Sequence, residues 1–316
     1  RRNEAQGWPQ RPESVIEMAK LKIKILDEED NSLRLHFSGT DRAFLNALRR
    51  TMISDVPKFA IDQMRIELGL FKDEATGELY ESNSGIADEQ VAHRFAMIPI
   101  PTFHDEFHFQ NECPDCSTLV EEQRGCPACQ IIYTVSERGT KEGHVVTASN
   151  MNVIGDRKLD IPETFGNIPL TKLFEGQVLH AYFYAVMGRG RDHSKYSPVA
   201  GVTFRSRQIG VMNVKTRSKL LFDLDLNIVA KDFGKDGKLT DIDKVDLLRD
   251  DLQHAGDTTE LQSVFKDAIT LQEVPGEFIM KFQTDGSMSA RTCLERAFSE
   301  LAGRFSAISA DLDEAL

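Results

Sequence analysis

The sequence lacks long apolar runs. No stretch approaches the roughly 18 consecutive apolar residues of a membrane-spanning helix, and residues 1–12 are polar, without the apolar segment of a secretory signal. We therefore expect a cytoplasmic protein. Its 316 residues, 41% hydrophobic and 28% charged, are typical of a globular chain with one or two domains.

Basic charge and catalytic motifs are also scarce. The 38 Lys and Arg residues stand against 50 Asp and Glu, a net charge of -12. Because proteins that bind nucleic acid by themselves usually carry a basic surface, contact with DNA is expected only through partners. No phosphate-binding loop or nucleophile elbow occurs, and Asp232-Phe233-Gly234 lacks the other kinase segments. We expect no catalysis by this chain alone.

Cysteines are few, but four of them are regularly spaced. Five cysteines in a reducing compartment argue against a disulfide framework and favour metal binding. Cys113 and Cys116 form one C-x-x-C knuckle, and Cys126 and Cys129 form a second one nine residues later. Two such knuckles direct four thiolates at one ion, and we expect a single structural zinc. An iron site and four unligated thiols remain alternatives.

Other candidate ligands are weaker. His104 and His108 lie upstream, but four sulfurs already complete a tetrahedral shell, and Cys293 is expected to be a buried small apolar residue. Residues 232–243 partly follow a calcium loop. The third position is Gly and the last ligand is Asp, so a solvated acidic loop is the favoured interpretation.

The hydrophobic pattern predicts both strands and helices. Alternation predicts a hairpin over 21–37 and strands over 64–68, 143–154, 177–186, 222–228 and 278–282. Helical spacing predicts helices over 44–56, ended by Pro57, and over 88–97.

The C-terminal segment carries a heptad-like apolar seam. Its members are Leu294, Phe298, Leu301, Phe305, Ile308 and Leu312. Such a seam buries one helix face, either against a partner helix or against the protein's own sheet.

Several stretches resemble one family. Residues 44–57, FLNALRRTMISDVP, look like the first helix of the alpha subunit of bacterial RNA polymerase and of its archaeal and eukaryotic counterparts. Residues 88–101, the two cysteine knuckles, 188–199 and 278–301 agree with the family in the same order. The zinc knuckle is similar to that of the archaeal D-type members and of the third-largest subunit of eukaryotic polymerase II, whereas other relatives generally lack it. The resemblance therefore favours the archaeal members first and the eukaryotic ones second.

The resemblance implies a fold and a domain organisation. It implies an α+β fold with a discontinuous alpha-like dimerisation domain, residues 15–57 and 202–316, and an inserted, mainly β domain at 58–201 that holds the zinc. Residues 1–14 are expected to be a polar tail and 231–277 a peripheral excursion. Some archaeal members carry iron–sulfur cysteines in that region, but 231–277 contains no cysteine, so no iron–sulfur cluster is expected.

The resemblance also implies partners. The chain is expected to be a non-catalytic scaffold of DNA-directed RNA polymerase, the nucleotidyltransferase complex of transcription. It would pair with a smaller alpha-like subunit of the subunit L type and bind the second-largest catalytic subunit and small subunits N and P. A eukaryotic member would be nuclear. The implied interface comprises Leu45, Leu48, Arg49, Arg50, Met52, Arg94, His193, Lys195, Leu294, Phe298, Leu301 and Phe305, although Arg94 and His193 could equally satisfy internal hydrogen bonds.

Two other functions fit the sequence less well. An independent zinc-ribbon module that binds nucleic acid predicts a basic face, but Glu112, Asp115, Glu121 and Glu122 surround the knuckles. A redox or zinc-hydrolase enzyme would need an open coordination position or a neighbouring base, which four sulfurs do not provide.

Overall fold

The computed structural model describes residues 21–73, 77–222, 227–256 and 268–315. The described chain is mixed α and β with a sheet-rich body, consistent with the predicted α+β class. Its strands are β1 (Lys22–Glu28), β2 (Ser32–Ser38), β3 (Pro57–Ile66), β4 (Leu70–Lys72), β5 (Leu79–Glu81), β6 (Gln130–Arg138), β7 (His144–Thr147), β8 (Asn152–Ile154), β9 (Pro169–Leu173), β10 (Val178–Arg189), β11 (Val199–Met212), β12 (Lys238–Leu239) and β13 (Ile269–Thr284). Its α-helices are α1 (Arg42–Ser54), α2 (Asp88–Ala96), α3 (Lys215–Phe222), α4 (Ile242–Gly256) and α5 (Ala290–Ala315).

The strands form two larger sheets and two small ones. A five-stranded sheet has the order β1-β2-β13-β11-β12, and a four-stranded sheet has the order β3-β10-β6-β8. β4 pairs with β5, and β7 pairs with β9. The predicted opening hairpin is confirmed as β1 and β2, and the alternating Phe278, Met280 and Phe282 lie in β13 as predicted.

The chain divides into two compact units. Within the described residues, the first unit contains positions 21–24, 35–42 and 205–279, and the second contains 25–34, 43–204 and 280–315. The unit boundaries fall inside β1, β2, β11 and β13 and after the first residue of α1. The predicted boundaries of the dimerisation and insertion domains remain predictions, and the predicted tail lies outside the described residues.

The core of the second unit lies on the four-stranded sheet. β10 is its central long strand and pairs antiparallel with β3 and with β6, so that Phe183 is opposite Met64 on one side and Tyr133 on the other. α2 covers this sheet, with the rings of Phe95 and Phe183 stacked at a centroid distance of 4.0 Å. Tyr133 is fully buried and satisfies its hydroxyl by donating to the carbonyl of Leu159 at 2.6 Å.

The two predicted helices of this unit are confirmed. α1 ends at Ser54, before Pro57, because proline cannot continue the helical hydrogen bonds. α2 starts with Asp88 and Glu89, whose charges suit the positive N-terminal end of the helix dipole.

The first unit has a small core of its own within the predicted excursion. Phe233, Val245 and Leu248 are buried there together, and the carboxylate of Asp251 accepts hydrogen bonds from the backbone N–H groups of Asn227 and Ile228. The region 231–277 thus holds β12, α4 and the start of β13.

The strand predicted over 222–228 is wrong at both described ends. Phe222 is the last residue of α3, and Ile228 lies in no strand. Residues 223–226 lie outside the described part. Both side chains pack with the small core around Phe233. They are apolar because they are buried in this cluster, and not because they alternate on one face of a sheet.

Glu277 on β13 is held between two basic side chains of the same unit. Arg207 Nη1 lies 2.5 Å and His36 Nε2 lies 2.7 Å from its carboxylate. Burial alone would raise the pKa of Glu277, but the hydrogen bonds from Arg207 and His36 outweigh burial and lower this pKa from its ordinary value of 4.5.

Among the described residues, no helix combines the length and apolar character that crossing a membrane requires.

Candidate functional site

The four predicted metal ligands come together in the second unit. The Sγ atoms of Cys113, Cys116, Cys126 and Cys129 all lie within 4.8 Å of one another. Three of the Sγ–Sγ distances are 3.4 Å from Cys113 to Cys126, 3.7 Å from Cys126 to Cys129 and 3.8 Å from Cys129 to Cys116. A tetrahedron with metal–sulfur bonds of about 2.3 Å has edges of about 3.8 Å. The cluster therefore has the size that one tetrahedral ion requires.

Backbone turns aim the thiols at one point. In the first knuckle, the N–H groups of Cys116 and Ser117 donate to the carbonyl of Cys113, at 3.2 and 2.9 Å. In the second, Cys129 and Gln130 donate to the carbonyl of Cys126, both at 3.0 Å. The second knuckle leads directly into β6, so the sheet fixes one half of the cluster.

The pKa values of three of the thiols are shifted in different directions. The backbone N–H of Gly125 donates to Cys116 and lowers the pKa of this thiol to about 7, against the effect of burial. Burial raises the pKa of Cys126 and of Cys129. A thiol that is costly to ionise in a buried site becomes a stable thiolate when a cation binds there, so this donor set suits a divalent metal.

The weaker ligand candidates are placed elsewhere. His104 Nε2 lies 2.8 Å from the carbonyl of Pro57, and burial lowers the pKa of His104. His108 is exposed, and neither histidine belongs to the cysteine cluster. Cys293 is fully buried, as predicted, and burial raises its pKa to about 12.

The acidic loop with partial calcium spacing is engaged within the chain. Asp232 forms an ion pair with Lys244 at 2.5 Å and accepts from the backbone N–H of Val229 at 3.0 Å. Asp236 accepts from the backbone N–H of Lys238 at 3.3 Å. In the described part of the chain, no group of His, Cys, Asp and Glu other than the four cysteines has metal-site spacing.

The apolar interface residues predicted on α1 are covered by the chain itself. Leu45, Leu48 and Met52 are fully buried. Their helical spacing therefore marks the face of α1 that packs inward, and their predicted contact with a partner stays a prediction.

The C-terminal seam divides into a packed half and an exposed half. Leu294 and Phe298 are half-buried, with the Phe298 ring 6.4 Å from that of Phe44, and Leu301 is buried. After Leu301, every residue from 302 to 314 is exposed. Phe305, Ile308 and Leu312 are 63%, 55% and 56% exposed. Because these three lie on one face of the helix, they form an apolar stripe that the described chain leaves uncovered.

A polar network that was not predicted holds α5 in place within the second unit. Arg189 Nη1 donates to the carbonyl of Asp55 and to the carboxylate of Glu300, the latter at 2.6 Å. The Arg189 guanidinium also lies 5.0 Å from the ring centre of Phe109, just before the first knuckle. The buried carboxylate of Asp55 accepts from Arg304 Nη2 at 2.5 Å. Asp55 lies just after the C-terminal end of α1, where the helix dipole disfavours a negative charge. This position was the one sign in the sequence that a basic side chain from a distant segment pairs with Asp55.

Of the two basic interface residues predicted on α1, Arg50 is exposed and Arg49 is not. Arg49 is half-buried and donates to Asn46 Oδ1 from two nitrogens, at 3.2 and 3.0 Å.

The other polar interface residues that were predicted, Arg94, His193 and Lys195, all form hydrogen bonds or ion pairs within the chain. Arg94 donates to the carbonyl of Leu170 at 3.0 Å, and His193 Nδ1 accepts from the backbone N–H of Lys195 at 3.1 Å. The Lys195 ammonium lies 2.7 Å from Asp62. Their contact with other subunits stays a prediction.

Comparison with known proteins agrees with this fold. The family model described as the RNA polymerase Rpb3/Rpb11 dimerisation domain matches residues 34–305. The chain therefore belongs to this family of alpha-like RNA polymerase subunits.

Individual archaeal proteins are also similar to this chain. The chain is similar to the DNA-directed RNA polymerase subunit Rpo3 of Picrophilus torridus, with 29% identity over 92% of this chain and 100% of the relative. Rpo3 of Thermoplasma volcanium is 27% identical over 93% of this chain and 100% of the relative. Rpo3 of Pyrococcus horikoshii is 36% identical over 56% of this chain and 57% of the relative.

Proposed function

We propose that this chain is a non-catalytic assembly subunit of a DNA-directed RNA polymerase, of the archaeal Rpo3 kind. The match to the dimerisation-domain family over residues 34–305 carries this proposal. The Rpo3 relatives that align over their whole length support it. RNA synthesis belongs to the assembled complex, and this chain brings subunits together. We further propose that it works in the cytoplasm, where an archaeal polymerase transcribes.

The partner of the exposed apolar stripe is a smaller alpha-like subunit, the subunit L type. The stripe of Phe305, Ile308 and Leu312 supports this assignment, because an isolated helix gains little from three exposed large apolar side chains. Removing them from water is favourable, and it drives association with a partner that presents a matching face. The packed half of α5, from Leu294 to Leu301, then fixes the direction in which the stripe is presented.

The cysteine cluster binds one structural zinc ion. Cys113, Cys116, Cys126 and Cys129 would hold it, and the cluster's tetrahedral dimensions and its four-sulfur donor set support zinc. The bound ion would supply a crosslink between the two knuckles, with no open coordination position for a reaction. The residues of the chain then define the surface that the knuckles present.

The proposed domain organisation follows the family. Residues 15–57 and 202–316 make up the dimerisation domain, and 58–201 are the insertion that docks the second-largest catalytic subunit and small subunits N and P. The four-stranded sheet and the cysteine cluster, both within 57–189, support the insertion as a structured body. Arg50, exposed at the end of α1, is the best remaining polar anchor for a partner.

Mixing the purified full chain with the purified smaller alpha-like subunit of the same organism tests this proposal. Size-exclusion chromatography with light scattering should give a one-to-one complex, and Phe305→Asp should abolish it because the charge would be buried without a partner. An Asp at Leu48 is a poorer test, since this side chain lies in the chain's own core. A chain that stays monomeric beside the partner would contradict the proposal.

A further inference from the structure

The cysteine knuckles carry an exposed apolar tip between them. Leu119 and Val120, which join the two knuckles, are 38% and 62% exposed. The tip is held in place, because Leu119 N–H donates to the carbonyl of Cys116 at 3.0 Å and Arg124 Nε donates to the carbonyl of Leu119 at 3.0 Å. A preorganised apolar tip loses little conformational entropy when a partner covers it.

The tip is surrounded by negative charge. Between residues 110 and 129 the sequence has four carboxylates, of Glu112, Asp115, Glu121 and Glu122, against the one guanidinium of Arg124. All four carboxylate residues are exposed, and none forms an ion pair with the residues that the structure describes. A divalent ion held by four thiolates would add a further net negative charge. A phosphate backbone would be repelled here.

The cations of the adjoining cavity do not offset this charge. That cavity, of about 400 Å³, is lined by Glu112, Glu121 and Arg124 on the knuckle side and by Arg189 and Arg191 opposite. Arg189 is paired with Glu300 at 2.6 Å, and Arg191 lies 3.9 Å from Asp192. The negative charge that has no ion-pair partner among the described residues is therefore that of Glu112, Asp115, Glu121 and Glu122, which form an acidic rim around the tip.

We propose that the tip of Leu119 and Val120 docks into an apolar pocket bordered by Lys or Arg on another subunit of the same polymerase. This inference rests on the proposed function. Exposed apolar side chains inside an acidic rim are complementary to such a pocket, and the rim charges select the partner and its register. The knuckles are thus a protein-docking element, and the metal keeps the tip rigid.

Site-specific photo-crosslinking in the full chain tests the proposal. Val120 is replaced by p-benzoylphenylalanine, and the polymerase is purified through a tag on this chain, irradiated and analysed by mass spectrometry. A matched control carries the same group at Ile308 on the exposed stripe. The zinc content per chain verifies that the knuckles remain intact in both variants.

The expected crosslink at Val120 joins a peptide of another polymerase subunit that has Lys or Arg beside apolar residues. A crosslink to nucleic acid, or no crosslink at Val120 while Ile308 reacts with the smaller subunit, overturns the docking inference alone. If neither position reacts with a polymerase subunit, the proposed function fails as well.

A charge-reversal pair gives a second measurement that leaves the apolar tip untouched. Glu121→Lys with Glu122→Lys should weaken binding of the crosslinked subunit about tenfold at low salt, because two rim attractions become repulsions. Glu142→Lys with Glu163→Lys changes the net charge equally at exposed positions outside residues 110–129 and should leave binding unchanged. Equal weakening by both pairs would refute the specific docking site.

Discussion

The exposed stripe of α5 should account for most of the affinity for the smaller alpha-like subunit. Replacing Phe305, Ile308 and Leu312 together with Ser removes the apolar surface and retains the helix. These side chains are 55–63% exposed. Full burial of such a side chain contributes about 1.5–3 kcal/mol, so covering the exposed parts of all three contributes about 3–5 kcal/mol. At about 1.4 kcal/mol per factor of ten, the Kd should rise by about two to three and a half powers of ten.

Isothermal titration calorimetry of the full chain with the purified partner measures this change. The burial of apolar area also predicts a negative heat-capacity change for the parent chain, which the triple variant should largely lose. A matched control is Ala307→Ser with Ala310→Ser, which lie on the opposite face of the same exposed helical segment. The control should bind like the parent, and circular dichroism should show equal helix content.

A triple variant that binds its partner as tightly as the parent does would refute this prediction. Such a result would mean that the partner covers another surface and that the stripe is exposed in the complex. Equal weakening by the triple variant and by the control would instead indicate that the helix, and not its apolar face, determines binding.

Three further predictions concern the knuckles, a close backbone approach and a titrating carboxylate. Cys116→Ser with Cys129→Ser should abolish zinc binding and lower the melting temperature of the knuckle region while dimerisation persists; loss of metal without any change in hydrogen exchange there would count against a structural role. Gly190→Ala should destabilise the chain by about 1–3 kcal/mol in urea unfolding, because its Cβ would lie 2.0 Å from the carbonyl oxygen of Ile53, whereas Gly85→Ala meets no atom within 4 Å and should be neutral. Glu277→Gln should destabilise the first unit at neutral pH. In the folded protein the pKa of Glu277 is lowered from its ordinary value of 4.5. The stabilisation by its carboxylate is therefore fully present above pH 4.5, and it is lost as the pH falls through the lowered pKa and the carboxylate becomes protonated. The difference in urea midpoint between parent and variant should therefore shrink under acidic conditions, and a difference that grows would have the wrong sign.

Local patterns in the sequence predicted the elements whose causes are local. The hairpin of β1 and β2, helix α1 before Pro57 and helix α2 all follow from period-two or helical spacing with clear end signals. The four-cysteine cluster was predictable for the same reason, because two tight C-x-x-C turns specify most of its geometry.

Features that depend on distant segments were not predictable. The alternation over 222–228 indicated a strand, but Phe222 ends a helix, since packing with Phe233 determines its position. The C-terminal seam was uniform in sequence, yet Leu301 is buried and Phe305 is 63% exposed, because the chain's own surface covers only the first half of α5. The pairing of Arg189 with Glu300 joins residues 111 positions apart, and no local pattern marks it.

The most direct test of the central claim is to purify the tagged full chain from its own cells and determine which subunits and how much metal accompany it. We expect the large catalytic subunits and the smaller alpha-like subunit in stoichiometric amounts, with one zinc per chain. A chain recovered alone, or with nucleic acid but no polymerase subunit, would contradict the assembly function.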